Sequence, residues 1–429
     1  MRKNLTAMLK EFRVKNFLSF GKEQLFSMEA FPKSKISELQ AHVVHVGDQD
    51  ILKLASIYGP NGGGKTNLIR AIGTLQSVVL NQPIIAKTNS KQWTYKHAFS
   101  LNERPVFSVF FATPIGEIGY EICCDFSRQV GGDPFTLLAA PLIIKEEMVF
   151  RATHSDSWST MFTRDESGCV TSEILSSIDI IANRRPLAPS MSFLGYIGSS
   201  LAGRTDGGDD LRPLFVLFRE FQAIYTFGNY PLDGFQFPTQ LDPKQDAQMK
   251  EGLRNLAAFL SSAGIPISSV YLEPVSPVAA ELVFERKLPD GSVGYIPFNM
   301  ESAGTKKLAA FFIQVLINGN IKIVLADDVD AAMHPSLMSA LIKFFGSEQN
   351  KDRQFIFNSQ DIINMTNEHF RRDEIWFAER DENYQTILHS LADIVNYAGK
   401  QVRKDAKYGK QYLEGAYGAD PFLEKGLSL

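Results

Sequence analysis

The sequence predicts an α/β fold of two lobes with an inserted middle segment. Three observations carry this. The apolar strand Ala55-Ser56-Ile57-Tyr58 runs into a glycine-rich turn and then a helical pattern. The apolar run at 321–326 is a buried strand ending in two carboxylates. Between them the chain alternates like strands at 106–125 and is rich in glycine and aromatics at 195–239. The expected division is an N-terminal lobe over 1–135, a middle segment over 136–290 and a C-terminal lobe over 291–429.

Each element has its own pattern. Residues 12–17 alternate apolar and polar and stop at Ser19-Phe20-Gly21, a first strand. Residues 67–79 form a helix with Leu68, Ile69, Ile72 and Leu75 on one face. A hairpin is expected near 146–162, and Gly207-Gly208-Asp209-Asp210 reads as a loop. Further on come a helix at 246–263, strands at 270–286 and 294–297, and a helix at 301–318. A helix at 337–346 and a short strand at 354–357 complete the reading. The chain contains no internal repeat, low-complexity tract or heptad run.

Composition narrows the function classes. The chain has 429 residues, of which 44% are hydrophobic and 21% charged, enough for a large core and not a disordered composition. A net charge of −4 means that any nucleic-acid contact must come from a local patch. Cys123, Cys124 and Cys169 cannot build a disulfide framework, and no Cys/His cluster suggests zinc. The start, Met1-Arg2-Lys3, lacks the apolar stretch of a secretory signal, and no apolar run reaches the length of a membrane span. The expectation is a reduced, soluble, cytoplasmic protein without a membrane partner.

Gly59-Pro60-Asn61-Gly62-Gly63-Gly64-Lys65-Thr66 fits the phosphate-binding pattern G-x-x-x-x-G-K-[ST], with a strand before it and a helix after. Backbone N–H groups from Asn61 to Gly64 can curl around phosphates because side chains there would block the approach. The helix dipole at Lys65 favours an anion. Lys65 is expected to reach the β- and γ-phosphates of ATP, and the Thr66 hydroxyl to ligate Mg²⁺. The other reading is an ordinary glycine-rich strand–helix turn.

The strand at 321–326 delivers Asp327-Asp328, the Walker B pattern. Asp327 is expected in the Mg²⁺ shell and Asp328 at the attacking water. An Asp-Asp after a strand can also be a helix N-cap. The His334-Pro335 break instead leaves 330–334 as a loop, with His334 structural.

Glu301-Ser302-Ala303-Gly304-Thr305-Lys306-Lys307 opens a helix before that strand, with Ser302 a plausible N-cap. On its residues alone it is a capped helix. Its spacing before the acidic strand resembles that of the Ser-x-Gly signature of ABC-type ATPases. In those enzymes Ser302 and Gly304 would meet the γ-phosphate of a nucleotide on another subunit. Phe355-Ile356-Phe357-Asn358-Ser359-Gln360 is a strand ending at the position of their switch residue. Gln360 there can hydrogen-bond but cannot carry charge. These pieces make the predicted fold an ABC-type P-loop ATPase head.

The set of motifs resembles a known group. It comprises residues 12–20, Tyr58–Thr66, Glu301–Lys307, Asp327-Asp328-Val329-Asp330 with His334-Pro335, Arg372-Asp373-Glu374-Ile375-Trp376-Phe377 and Tyr412-Leu413-Glu414-Gly415-Ala416-Tyr417-Gly418-Ala419. It is similar to the AbiL-type ATP-binding proteins of bacterial abortive infection, compact relatives of the RecF, SMC and OLD ATPases. The ATPase subunit of the PARIS defence system is a looser relative. The resemblance covers about 8–135 and 280–425, and only weakly the part between. It implies an antiphage ATPase that senses infection, with a phage-encoded molecule as the candidate trigger, and controls a separately encoded toxic effector such as a Toprim-type nuclease. It also implies self-association as a head-to-tail ATP-sandwich dimer or a higher homo-oligomer. Asp328 stands where the family has Glu, and Ser359-Gln360 where it has Thr-His. Both departures fall on the hydrolytic side, which points to slow turnover with ATP binding kept.

Other classes compete. A RecF- or SMC-like DNA-repair ATPase is the alternative, but the stretch from Thr66 to Ser302 holds no heptad arm. A nuclease fused to its own ATPase would need an Asp-x-Asp after a further sheet. Asp209-Asp210 and Asp373-Glu374 read as solvated loop acids rather than a nuclease centre. Lys400, Arg403, Lys404, Lys407 and Lys410 recur at helical spacing beside Tyr408 and Tyr412. This stretch is a solvated helix face, a grip for nucleic-acid phosphates or a dock for an acidic partner, the first being favoured.

Overall fold

The computed structural model describes residues 7–82, 84–86, 96–97, 102–126, 129–131, 137–139, 141–176, 178–200, 209–228, 237–238, 243–317, 320–395, 402–403 and 406–418. Its functional edge is made by one six-stranded sheet. The strands are β1 (Leu54–Tyr58), β2 (Ile224–Phe227), β3 (Ile323–Ala326), β4 (Gln354–Asn358), β5 (Ile375–Arg380) and β6 (Thr386–Ser390). Their spatial order is β2-β3-β4-β1-β5-β6. Neighbours are parallel except for the antiparallel pair β5–β6. The carboxyl ends of the first five therefore open on one edge, where parallel α/β sheets hold their ligands.

Both faces of this sheet are covered. Ile323 and Leu325 pack into one core while Val324 and Ala326 pack into the other. That is why residues 323–326 read as a continuous apolar run and not as an alternation. The first core contains helix α1 (Lys65–Val79), with Leu68, Ile69, Ile72 and Leu75 buried as the periodicity requires. It also contains a seven-stranded antiparallel sheet. In spatial order this runs Val170–Thr171, Ser159–Arg164, Leu142–Ala152, Gly116–Asp125, Val106–Thr113, Met8–Lys15 and Gln24–Ser27. The expected division at 135 falls between two hydrogen-bonded neighbours of this sheet, Gly116–Asp125 and Leu142–Ala152. The chain returning after 135 finds its backbone partners on the N-terminal lobe, so that sheet runs on to Thr171. Likewise β2, expected in the middle segment, closes one edge of the parallel sheet.

The second core joins helices α2 (Ala303–Phe311) and α3 (Pro335–Gly346) to helix Pro243–Ser262 and a small sheet. The strand expected at 270–286 is two strands of that sheet, Ser269–Pro274 and Ala279–Lys287, paired as a hairpin. The helix expected over 301–318 is α-helical only as far as Phe311. It widens to a π-helix over Phe312–Ile317, where Gln314 accepts a hydrogen bond from the Tyr225 hydroxyl. A half-buried amide thus gains a partner inside an apolar run. Among the described residues, no helix is long and apolar enough to cross a membrane. The fold is the α/β P-loop head that the motifs predict.

Candidate functional site

The phosphate loop follows β1 and is clasped by its neighbours. A Cβ at Gly59 or Gly63 would lie 2.1 or 2.4 Å from the Ala378 carbonyl, and one at Gly64 2.0 Å from Thr386 Oγ1. Gly59, Gly62 and Gly64 also have φ of 141°, 80° and 110°. The glycines are therefore required by the β5–β6 hairpin behind the loop, before any phosphate is considered. The buried Thr386 hydroxyl sits 2.9 Å from the Gly63 carbonyl and 2.7 Å from Ser19 Oγ. Asn67 Nδ2 donates to the same Ser19 oxygen at 2.8 Å. The first strand's polar exit is thereby tied to the loop and to α1.

Lys65 is buried and its Nζ donates to the Gly59 and Pro60 carbonyls at 2.7 and 3.0 Å. Burial pulls its pKa down, opposed by Asp328, Asp330 and Asp327. Thr66 Oγ1 donates to Asp327 Oδ1 at 2.8 Å. Parallel pairing of β3, β4 and β1 produces this contact, because it aligns Ala326 with Phe357 and Asn358 with Ile57. Asn358, at the end of β4, donates through Nδ2 to Asp327 Oδ1 and accepts the Asp328 N–H through Oδ1, each at 2.5 Å.

Asp328 is half-buried with a left-handed φ of 49°, a conformation that Asp tolerates better than most residues. Burial is the main cause that raises its pKa, reinforced by Asp327 and Asp330 and opposed by Lys65 and Lys307. Gln360 is exposed and its Nε2 approaches Asn61 Oδ1 at 3.4 Å. The structure thus gathers Asn61, Lys65, Thr66, Asp327, Asp328 and Gln360 at one edge of the sheet. Gly62 stands at the same edge, where a Cβ would come 3.8 Å from the Arg380 guanidinium.

Ser302 and Gly304 lie on the other side of the turn after β3. The exposed Ser302 caps α2 by accepting the Thr305 N–H at 3.2 Å. Gly304 packs so closely that a Cβ would meet the Ala332 carbonyl at 2.9 Å. Among the described residues, no hydrogen bond joins Ser302 or Gly304 to the phosphate loop.

Residues 229–363 match the family described as "AAA domain, putative AbiEii toxin, Type IV TA system". That segment holds Ser302, Gly304, Asp327, Asp328 and Gln360. It omits the phosphate loop, which the strand order sets beside them. No curated protein matches the chain. Among solved structures, the chain is similar to an Smc head bound to the C-terminal winged-helix domain of ScpA: 13% identity, 89% of this chain and 97% of that one covered, TM-score 0.44. An SMC head domain from Thermotoga maritima shares 14% identity over 89% of this chain and 98% of that one, with TM-score 0.37. An Smc head domain from Pyrococcus furiosus, with an extended coiled coil and bound to the C-terminal domain of ScpA, shares 12% over 90% and 96%, with TM-score 0.41. Likeness this distant carries no argument, and the fold rests on the strand order and the loops described above.

Four residues near the site escaped the sequence reading as site residues: Asn358, Asp330, Lys307 and Thr386. Asn358 and Asp330 carry a weak signal, since polar residues at the ends of apolar strands or turns often serve a site. Lys307 and Thr386 carry none, because their partners lie on other elements. His334 has the structural place expected of it, capping α3 by accepting the Ser336 N–H at 3.2 Å.

Two readings need correction. Asp373 and Glu374 are not solvated. Asp373 pairs with the fully buried Arg371 at 2.7 Å, and Glu374 meets His42 Nδ1 at 2.9 Å. They clamp the segment around Phe31–His42 to the start of β5, since Asp373 Oδ2 also takes the Phe31 N–H. The tyrosines of the basic stretch are core residues. Tyr408 and Tyr412 are buried, and Tyr412 stacks on Phe377 with centroids 5.5 Å apart. The described helix there is only Tyr408–Leu413, with Lys410 exposed. Lys400 and Lys404 lie outside the described residues. Among the described residues of this stretch, Tyr408 and Tyr412 are therefore not available to stack on bases.

Proposed function

We propose that the chain is an ATP-binding, slowly hydrolysing ABC-type ATPase that works by nucleotide-dependent self-association. In this reading it is the sensor or regulator of an antiphage, abortive-infection system whose toxic effector is a separate protein. The observation that carries the ATP site is the Thr66–Asp327 contact of 2.8 Å behind a glycine loop closed by Lys65. A hydroxyl and a carboxylate side by side are hard oxygen donors of the kind Mg²⁺ takes while it keeps several waters. Lys65 and Lys307 face Asp327, Asp328 and Asp330, so the cluster carries surplus negative charge that suits a cation. Thr66 and Asp327 would hold Mg²⁺, which would supply charge neutralisation at the phosphates.

The chain's own residues take the remaining roles. Lys65 would leave the Gly59 and Pro60 carbonyls for the terminal phosphates. Backbone N–H groups from Gly62 to Thr66 would hold the β-phosphate. Asp328 would orient and deprotonate the attacking water, and Gln360 would hydrogen-bond water or γ-phosphate. The exposed α2 start, Ser302 to Gly304, would meet the γ-phosphate held by a second copy. The defence role rests on the resemblance to abortive-infection ATPases and on the matched family description.

Lys65→Ala tests the site. It should abolish ATP binding in calorimetry while thermal unfolding stays as in the wild type. Unchanged ATP affinity would overturn the assignment.

A further inference from the structure

Lys307 is buried on α2, and nothing in the ATP-binding role uses it. Its Nζ donates to the carbonyls of Asp328 at 2.8 Å and Ala331 at 3.0 Å. These two carbonyls bracket the turn that carries Asp328 in its left-handed conformation. The same turn carries Asp330, whose Oδ2 accepts from Ser359 Oγ at 2.9 Å and from the Gln360 and Asp361 N–H groups at 2.8 Å each. One carboxylate oxygen thus holds the loop that presents Gln360, which in turn reaches Asn61 of the phosphate loop. At the other end, Gly304 rests against the Ala332 carbonyl. The contacts run without a break from the start of α2, through the turn, to the candidate water-orienting residues.

Burying an ammonium costs several kcal/mol unless charge and hydrogen bonds offset it. Two carbonyls alone would be served as well by a neutral donor. The lysine charge is matched by Asp330, Asp328 and Asp327, the carboxylates of the candidate hydrolytic centre. Its placement fixes the backbone between those acids through the Asp328 and Ala331 carbonyls.

We propose that Lys307 is a positioning residue: it holds the 328–331 turn so that Asp328 and the Asp330-bound Gln360 loop face the nucleotide, and it links them to the start of α2. This rests on the ATPase reading above. A movement of α2 on meeting a second copy would then reach Asp328 through Lys307 and Gly304.

The test compares full-length wild type with Lys307→Met, which keeps length but loses donor and charge, and Lys307→Arg, which keeps both. ATP affinity is read by calorimetry, turnover by single-turnover release of labelled phosphate, and the turn by amide exchange at Gln360 and Asp361. Lys307→Met should bind ATP within about threefold of wild type, turn over at least about tenfold more slowly, and exchange those amides faster. Lys307→Arg should recover most of the rate. If Lys307→Met falls below wild-type thermal stability, Lys307→Gln, which keeps a donor, carries the same comparison. Wild-type turnover and exchange in the Met variant would overturn the proposal, as would affinity and rate falling together. Lys65→Ala, run in parallel, separates the two ideas. If it still binds ATP, the site reading fails; if it loses ATP while Lys307→Met behaves as wild type, only the Lys307 role falls.

Discussion

The phosphate loop and the turn after β3 border the same site but are held by different means. The loop is clasped by backbone and by small contacts: the Ala378 carbonyl behind Gly59 and Gly63, and Thr386 behind Gly64. The turn is held by side chains: Asn358 reaches Asp327 and Asp328 from β4, Lys307 reaches two of its carbonyls from α2, and its own Asp330 ties it to residues 359–361. Backbone contact leaves little freedom and demands glycine. Side-chain support tolerates substitution and can move. Under the proposed function, the grip on nucleotide and the turn that presents Asp328 would therefore respond differently to substitution.

The strongest way to break this comparison is Gly64→Ala. The methyl would meet Thr386 Oγ1, and φ of 110° is strained for any side chain. Relief requires shifting the loop or the β6 strand, and misplacement near 1 Å can cost about a hundredfold. ATP affinity should fall about a hundredfold or more by calorimetry. Affinity within threefold of wild type would show that the clasp is not what shapes the loop.

Self-association should depend on a surface outside both regions. Ser302→Arg places a bulky cation at the exposed start of α2 without touching the phosphate loop. Each chain should still bind ATP at wild-type affinity, yet the ATP-stabilised oligomer should vanish from native mass spectra. The same oligomer in wild type and variant would remove the case for a site shared between copies.

These two halves were also unequally legible in the sequence. The phosphate loop is contiguous, and its glycines and Lys65-Thr66 are recognisable in order. The β3 strand and its carboxylates were legible because burial on both faces erases alternation and leaves an apolar run. The hydrolytic supports were not, since Asn358, Asp330 and Lys307 act across elements that sequence spacing does not relate. The same holds for β5, whose Ala378 carbonyl shapes the loop from far along the chain. The sheet that continues past 135 was missed because strand partners are set by register and not by sequence neighbourhood. Asp373 and Glu374 looked solvated because the Phe31 N–H and His42 only become their partners once Phe31–His42 folds over the start of β5.

A smaller effect is expected at Asp328. Asp reaches less far than Glu by about one C–C bond, roughly 1.5 Å, so a water placed for Glu is poorly served. The left-handed turn offers a competing account, in which the backbone re-aims the shorter carboxylate into place. Asp328→Glu separates them. We expect steady-state turnover to rise several-fold with ATP affinity unchanged, at a stability cost of about 1 kcal/mol for Glu in that conformation. A lower rate with unchanged affinity would mean that the turn already compensates, and the slow-switch reading would fall.

The smallest effect lies in the scaffold and checks that stability and nucleotide chemistry can be separated. Glu220, on helix Arg212–Gln222, is buried, and among the described residues its Oε2 has no hydrogen-bond partner. That helix carries Phe221, whose carbonyl accepts a 2.8 Å bond from Gln76 of α1. Burial raises the Glu220 pKa from 4.5 to about 7, with Arg219 and Lys322 opposing. The folded carboxyl keeps its proton to about 7, while the unfolded one releases it near 4.5. The stability this group supports is therefore full below 4.5 and is lost as the pH rises through about 7. By pH 8 the folded state holds a buried charge, a penalty on the order of 3 kcal/mol. Glu220→Gln keeps the shape and removes the titration. It should raise the unfolding temperature by a few degrees at pH 8 and change it little at pH 5. ATP affinity and turnover should stay as in wild type at both pH values. An equal shift at pH 5 and pH 8 would show that the gain comes from packing and not from the proton.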